Sequence, residues 1–154
     1  MVKKILKTNM QTKIRIANAP CSWGVLEFEL EGKALGYEQV LDELVETGYA
    51  GTELGDWGFM PTDPKALQHE IAKRNISLLG AFVPVALSQE SAHEAGAEKE
   101  LKVARLMHDA GYKDAFIVLA DENGTVEYRT QNAGRINGAG GLSDAQMRIF
   151  GAGA

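Results

Sequence analysis

"TDPKALQHEIAKRNISLLGAFVPVAL", residues 62–87, decides the fold. Its first half reads as a helix. Asp63 can accept hydrogen bonds from the first free N–H groups, and Pro64 suits the first helical position. Leu67 and Ile71 lie one turn apart, and Lys73, Arg74 and Asn75 close the segment. The second half, "ISLLGAFVPVAL", is a continuous apolar run, as expected of a strand buried on both faces. Its Pro84 has no N–H to give a ladder, so regular pairing is expected to stop near Val83.

The same alternation extends in both directions. Upstream, "GYEQVLDELVETGY" (36–49) places Tyr37, Val40, Leu41, Leu44 and Val45 on one apolar stripe, with Gly48 where a left-handed cap belongs. "YAGTEL" (49–54) then reads as a strand. Further upstream, "KIRIANAP" (13–20) alternates Ile14 and Ile16 with polar residues and reads as the first strand, ended by Pro20. Downstream, "HEAGAEKELKVARLMHDAGY" (93–112) holds a helix carrying Leu101, Ala104, Met107 and Ala110. "DAFIVLA" (114–120) is the fourth strand. A long irregular stretch follows over 121–141. At Ser143, with Gln146 three residues on, a capping box starts a last helix. The helix-to-strand joints "ETGYAG" and "DAGYKD" echo one another.

The order is βαβαβαβ plus the start of a fourth helix, which implies a parallel sheet with right-handed crossovers. A nucleotide-binding open sheet would carry a glycine-rich turn after its first strand. Here that turn reads "PCSWGVLEFE". The alternative is an incomplete, half TIM barrel, with functional groups at the C-terminal ends of its strands. Residues 1–12 are set apart as a loosely attached tail, and 13–154 form the barrel portion.

Bulk properties narrow the function. A net charge of −5 argues against a nucleic-acid or anionic-membrane surface. The basic cluster Lys3, Lys4, Lys7 and Lys13 has no apolar segment after it, so it does not read as a signal peptide. No stretch approaches the apolar length of a membrane span. One cysteine, Cys21, excludes an internal disulfide framework. A cytoplasmic location is the default.

Several strand ends carry residues suited to chemistry. Glu53 can accept hydrogen bonds from a polyhydroxylated ligand or take a proton, or else cap backbone N–H groups of its loop. Trp23, Trp57 and Phe82 can form ligand walls or rim lids. Asp121 and Glu122 are either site carboxylates or a solvated turn. Cys21 has no His in any strand-end loop to activate it. His69, His93 and His108 fall in or beside helices. Asn132 and Arg135 lie in the late loop, where Arg135 either holds an anionic ligand group or pins the loop.

"IANAPCSWG", "GYEQVLDELVETGYAGTELGDWGF", "DPKALQHEIAKRNISLLGAFVPVAL" and "RTQNAGRI…GLSDAQMRIF" together resemble the sugar isomerase/epimerase-like superfamily. This is the xylose-isomerase-like TIM barrel group, and the inosose dehydratase-like branch is nearest. The resemblance implies a divalent metal, Mn, Mg or Co. It also implies a sugar or inosose substrate and proton transfer next to a carbonyl, giving isomerisation, epimerisation or dehydration. It covers the N-terminal half of such a barrel, whose metal ligands come from the other half. Only substrate-pocket roles therefore carry over, to Glu53, Trp23, Trp57, Phe82 and Arg135, with no metal ligand and no catalytic residue assigned. Two alternatives accompany it: a half-barrel that self-associates into a homo-oligomer through exposed sheet edges, and a truncated chain with no activity of its own.

Overall fold

The computed structural model describes residues 14–24, 35–122 and 126–154. The expected tail, 1–12, and its basic cluster lie outside these. Among the described residues there are five α-helices and three strands. In order they are α1 (Tyr37–Glu46), β1 (Gly51–Glu53), α2 (Pro64–Ala72), β2 (Ser77–Val85), α3 (His93–Asp109), β3 (Phe116–Asp121), α4 (Glu127–Gln131) and α5 (Asp144–Gly153). The sheet is parallel, in the order β1-β2-β3.

The sequence led us to expect four strands, and three form. Residues 14–19 run beside β1 but contribute only one isolated bridge, Asn18 to Thr52. Two backbone bonds hold them, Asn18 N–H to Gly51 O at 3.2 Å and Ala50 N–H to Ile16 O at 2.8 Å. Local bonds explain why no ladder develops. The Asn18 side-chain oxygen accepts from Ala19 N–H and from the Ser22 hydroxyl, which turns the chain into a single 3-10 turn at Pro20–Trp23.

The helices form, but their buried faces differ in part from the expected ones. Val40, Leu41 and Leu44 of α1 are buried, as are Leu67 and Ile71 of α2, while Val45 at the end of the α1 stripe is exposed. In α3 the buried face is Val103, Leu106 and Met107, continued by Ala110, and Leu101, expected on it, is 53% exposed. The Asp63 carboxylate accepts from Ala66 N–H at 2.8 Å, and Pro64 opens α2. The echoed joints are one structure built twice. Gly48 and Gly111 adopt positive φ and donate to Val45 O and His108 O, while Tyr49 and Tyr112 reach back to Leu44 O and Met107 O. These are paired Schellman caps, which need a residue that tolerates the left-handed region. Arg74 ties α2 to α1 through Asp42 at 2.6 Å and binds Glu70 at 2.8 Å.

Two further expectations change. The stretch read as wholly irregular contains α4, a five-residue helix with no buried side chain. Pro84 does not end β2, which continues to Val85. β1 stops at Glu53, opposite Gly80, so β2 beyond that point pairs only with β3. Pro84 turns its imide nitrogen and carbonyl to the unpaired side, where a missing N–H removes no ladder bond.

The helices cover one face of the sheet, where Thr52, Leu78, Ala81, Val83 and Val85 are buried. The run read from sequence as buried on both faces is buried on one only: among the described residues nothing covers the other face. Leu79, Val118 and Phe116 are exposed there, the last at 73%. Register puts Glu53, Gly80, Phe82 and Phe116 together on that open face.

Candidate functional site

A cleft of about 360 Å³ opens where β1 ends and β2 continues. Its walls are Gly55, Asp56 and Trp57 from the loop after β1, Ala81 to Pro84 of β2, Lys99 and Val103 of α3, and Glu122 just past β3. The short β1 is the cause. Leu54 N–H to Gly80 O, at 2.9 Å, is the last bond on that side of β2. The next outward-pointing backbone groups, those of Phe82, have no backbone partner among the described residues. The Pro84 carbonyl would also be bare, but Lys99 Nζ donates to it at 2.9 Å.

The chemistry gathered here is mixed. Trp57 and Phe82 give aromatic surface, Asp56 and Glu122 give carboxylates, and Lys99 gives a cation. Lys102 Nζ lies 4.0 Å above the centre of the Trp57 ring. Such a set suits a small ligand with both apolar faces and hydroxyl groups.

The residues singled out from sequence separate. Trp57 and Phe82 meet at the cleft. Glu53 is half-buried on the open sheet face, and its carboxylate makes no hydrogen bond or ion pair among the described residues. It is not a wall of the cleft, although Phe82 is common to the cleft and to the face that Glu53 occupies. Trp23 is fixed elsewhere: its Nε1–H donates to Glu43 at 2.8 Å and its ring meets Tyr49 edge-on at 6.4 Å. Arg135 is exposed after α4, its N–H bonded to Asn132 O, and no contact joins it to the cleft.

Asp121 has a holding role, since its Oδ1 accepts Leu87 N–H at 3.1 Å. Glu122 beside it does line the cleft. Cys21 is exposed. His93 bonds Leu87 O through Nε2 at 2.9 Å, and His108 pairs with Asp109 on the surface. Among the described residues no three His, Cys, Asp or Glu side chains come together to hold a metal ion. Sequence reasoning missed Asp56, Lys99 and Val103. Asp56 adjoins Trp57 and was open to notice. Lys99 and Val103 sit one helical turn apart but look like any solvated lysine and any core valine.

No family model matches the chain. It is similar to curated inosose dehydratases. That of Lacticaseibacillus casei (strain BL23) is 30% identical over 118 residues, 77% of this chain and 38% of that protein. That of Geobacillus kaustophilus is 34% identical over 107 residues, 67% of this chain and 33% of that protein. That of Salmonella typhimurium is 33% identical over 74 residues, 48% of this chain and 24% of that protein. The α/β order with a parallel sheet fits part of the barrel that the sequence resembles. The chain is thus similar to inosose dehydratases over about three quarters of its own length, and it spans little more than a third of the length of the curated proteins it matches.

Proposed function

We propose that this chain supplies sugar-binding walls of an inosose-dehydratase-like enzyme, as the first βα units of a barrel. The observation that carries this reading is the meeting of Trp57, from the loop after β1, and Phe82, from β2, in one cleft with Asp56, Glu122 and Lys99. The aromatic faces would take the apolar faces of a cyclic polyol, and the charged groups its hydroxyls. The expected reaction is proton transfer next to a carbonyl, and the relatives' name favours loss of water over isomerisation or epimerisation. In dehydration a base removes the proton beside the carbonyl, and the neighbouring hydroxyl leaves as water. Glu53, at the end of β1, is the candidate for that base: it stands beside Phe82 on the open sheet face rather than in the cleft wall, it is half-buried, and its carboxylate makes no bond to a described residue.

The Mn, Mg or Co ion expected of such enzymes would polarise the carbonyl when bound. The described residues do not fit it, because they form no group of three or more donors. No step is therefore routed through a metal. Among the described residues no helix is long and apolar enough to cross a membrane. The net charge of −5 favours a small-molecule ligand over nucleic acid or an anionic membrane surface, and the cytoplasm stays the expected location.

The test is to titrate the chain with an inosose, with and without added Mn²⁺, while following tryptophan emission and loss of one water by mass spectrometry. Saturable quenching that disappears in Trp57→Phe and persists in Trp23→Phe supports the reading. No saturable change in any arm removes it.

The bare apolar sheet face favours a second reading, self-association. Leu79, Val118 and Phe116 are exposed on one face, and Ile14 and Ile16 are exposed on the bridging segment. Contiguous apolar surface of this kind commonly marks an interface. Light scattering of the chain should then report a homo-oligomer that Phe116→Asp dissociates. A monomer at high concentration would oppose it.

A further inference from the structure

The two tryptophans are held in opposite ways. Trp23 has its indole N–H bonded and its ring packed on Tyr49. Trp57 is 39% exposed, and its N–H has no partner among the described residues. It sits with Asp56 between Gly55, at φ +73°, and Gly58, at φ +94°. Among the described residues, one polar contact reaches the indole, the Lys102 ammonium 4.0 Å above its ring. Lys102 belongs to α3, the helix that also supplies Lys99 and Val103 to the cleft. The loop that bears Trp57 is thus fastened across the cleft to the opposite wall.

We propose that Lys102 is a positioning residue for Trp57, whose cation–π contact sets how far the cleft is open. This rests on the cleft being the ligand site, where Trp57 is a wall. The two left-handed glycines give the loop hinge points on either side of the Asp56–Trp57 pair. Lys99 provides the internal comparison. It carries the same charge from the same helix to the same cleft, but it bonds the Pro84 carbonyl rather than the ring. Any effect of charge alone would follow removal of either lysine. An effect of the latch would follow only the loss of Lys102.

Access can be read without any ligand. Ala81 lies on the cleft floor and is 1% exposed. In a Cys21→Ser background, Ala81→Cys gives a thiol whose alkylation rate follows opening of the cleft. Lys102→Met should raise that rate about two- to fivefold, the factor that an exposed cation–π contact represents. Lys99→Met should not raise it, and Lys102→Arg, which keeps a cation over the ring, should hold it at the parent value. Equal rates in Lys102→Met and the parent would overturn the proposal, as would equal effects of the two lysine changes. If the cysteine variant does not fold, acrylamide quenching of Trp57 in the otherwise native chain gives the same answer, with Trp57→Phe defining the Trp23 contribution. Lys102→Met should increase that quenching, and no increase would overturn the latch. Inosose titration separates the two readings: failure to bind defeats the ligand site, while the alkylation and quenching results decide the latch.

Discussion

Replacing Gly96 with alanine tests how α3 is seated, and α3 carries one wall of the cleft. A Cβ at residue 96 would lie 2.5 Å from Val85 Cγ1 and 2.9 Å from Cγ2. Carbon atoms prefer about 3.5–4.0 Å, so the overlap approaches an ångström. Val85 is 6% exposed and β-branched, so it has little freedom to turn away. Overpacking of this kind costs about 1–3 kcal/mol. Against it stands the intrinsic gain of alanine over glycine inside a helix, about 0.8–1 kcal/mol. The net expectation is a loss of up to about 2 kcal/mol. Gly151 of α5 is the matched control, because a Cβ there meets nothing within 4 Å. Gly151→Ala should gain about 0.5 kcal/mol, reduced by its place in the last turn. Thermal melts followed by circular dichroism resolve the difference, since about 1 kcal/mol moves Tm by roughly 2–4 °C in a chain of this size. If Gly96→Ala stabilised the chain as much as Gly151→Ala, the close seating of α3 on β2 would be wrong. So would the placement of Lys99, Lys102 and Val103 that depends on it.

Glu70 gives a pH signature. Hydrogen bonds from Lys73 and then Arg74 hold its carboxyl below the usual value of 4.5. Its ionised form therefore contributes stability that is fully present above that value and is lost as pH falls through the lower folded-state value. Glu70→Gln should cost about 1–2 kcal/mol at neutral pH and flatten the acid side of the stability curve, and an unchanged acid slope would contradict the network. Trp23→Phe keeps the ring against Tyr49 but leaves the Glu43 carboxylate without the indole donor, so a loss of about 1 kcal/mol is expected in urea unfolding, and no loss would show that bond to be idle. In a preparation that dehydrates an inosose, Glu53→Gln should lower kcat by about 10²–10⁴ while leaving Tm unchanged, because its carboxylate has no described partner to lose; full activity would remove Glu53 from the chemistry.

Legibility from sequence followed the range of the forces involved. Helical stripes and caps are local, and Val40, Leu41 and Leu44, the Asp63 cap and the two Gly-Tyr joints fell where the pattern placed them. The expected first strand failed because Asn18 spends its side chain on Ala19 and Ser22, a competition that alternation of Ile14 and Ile16 does not display. Helix α4 escaped notice because it buries nothing and so leaves no apolar period. In the site, Trp57 and Phe82 stood out by residue type. Lys99 and Lys102 did not, because a lysine on a helix surface carries no sign of the carbonyl or ring it will meet across the fold.

One feature of the sheet accounts for most of the candidate site. β1 has three residues where β2 has nine, so β2 keeps an unpaired side from Phe82 onward. That side is why a proline is tolerated inside a central strand. It is also why the Pro84 carbonyl needs Lys99, and why a cleft exists there for Trp57 to cross. A β1 extended by two residues would pair with Phe82 and fill the gap, and the loop bearing Asp56 and Trp57 would start further along the strand direction. The Leu54-Gly55 step prevents that extension: Gly55 turns the chain at φ +73°, and a Cβ there would strike Phe59 at 2.9 Å. The carboxylate and the tryptophan stand at a strand end in "GYAGTELGDWG" because this glycine ends the strand early, and the early end is what opens the cleft.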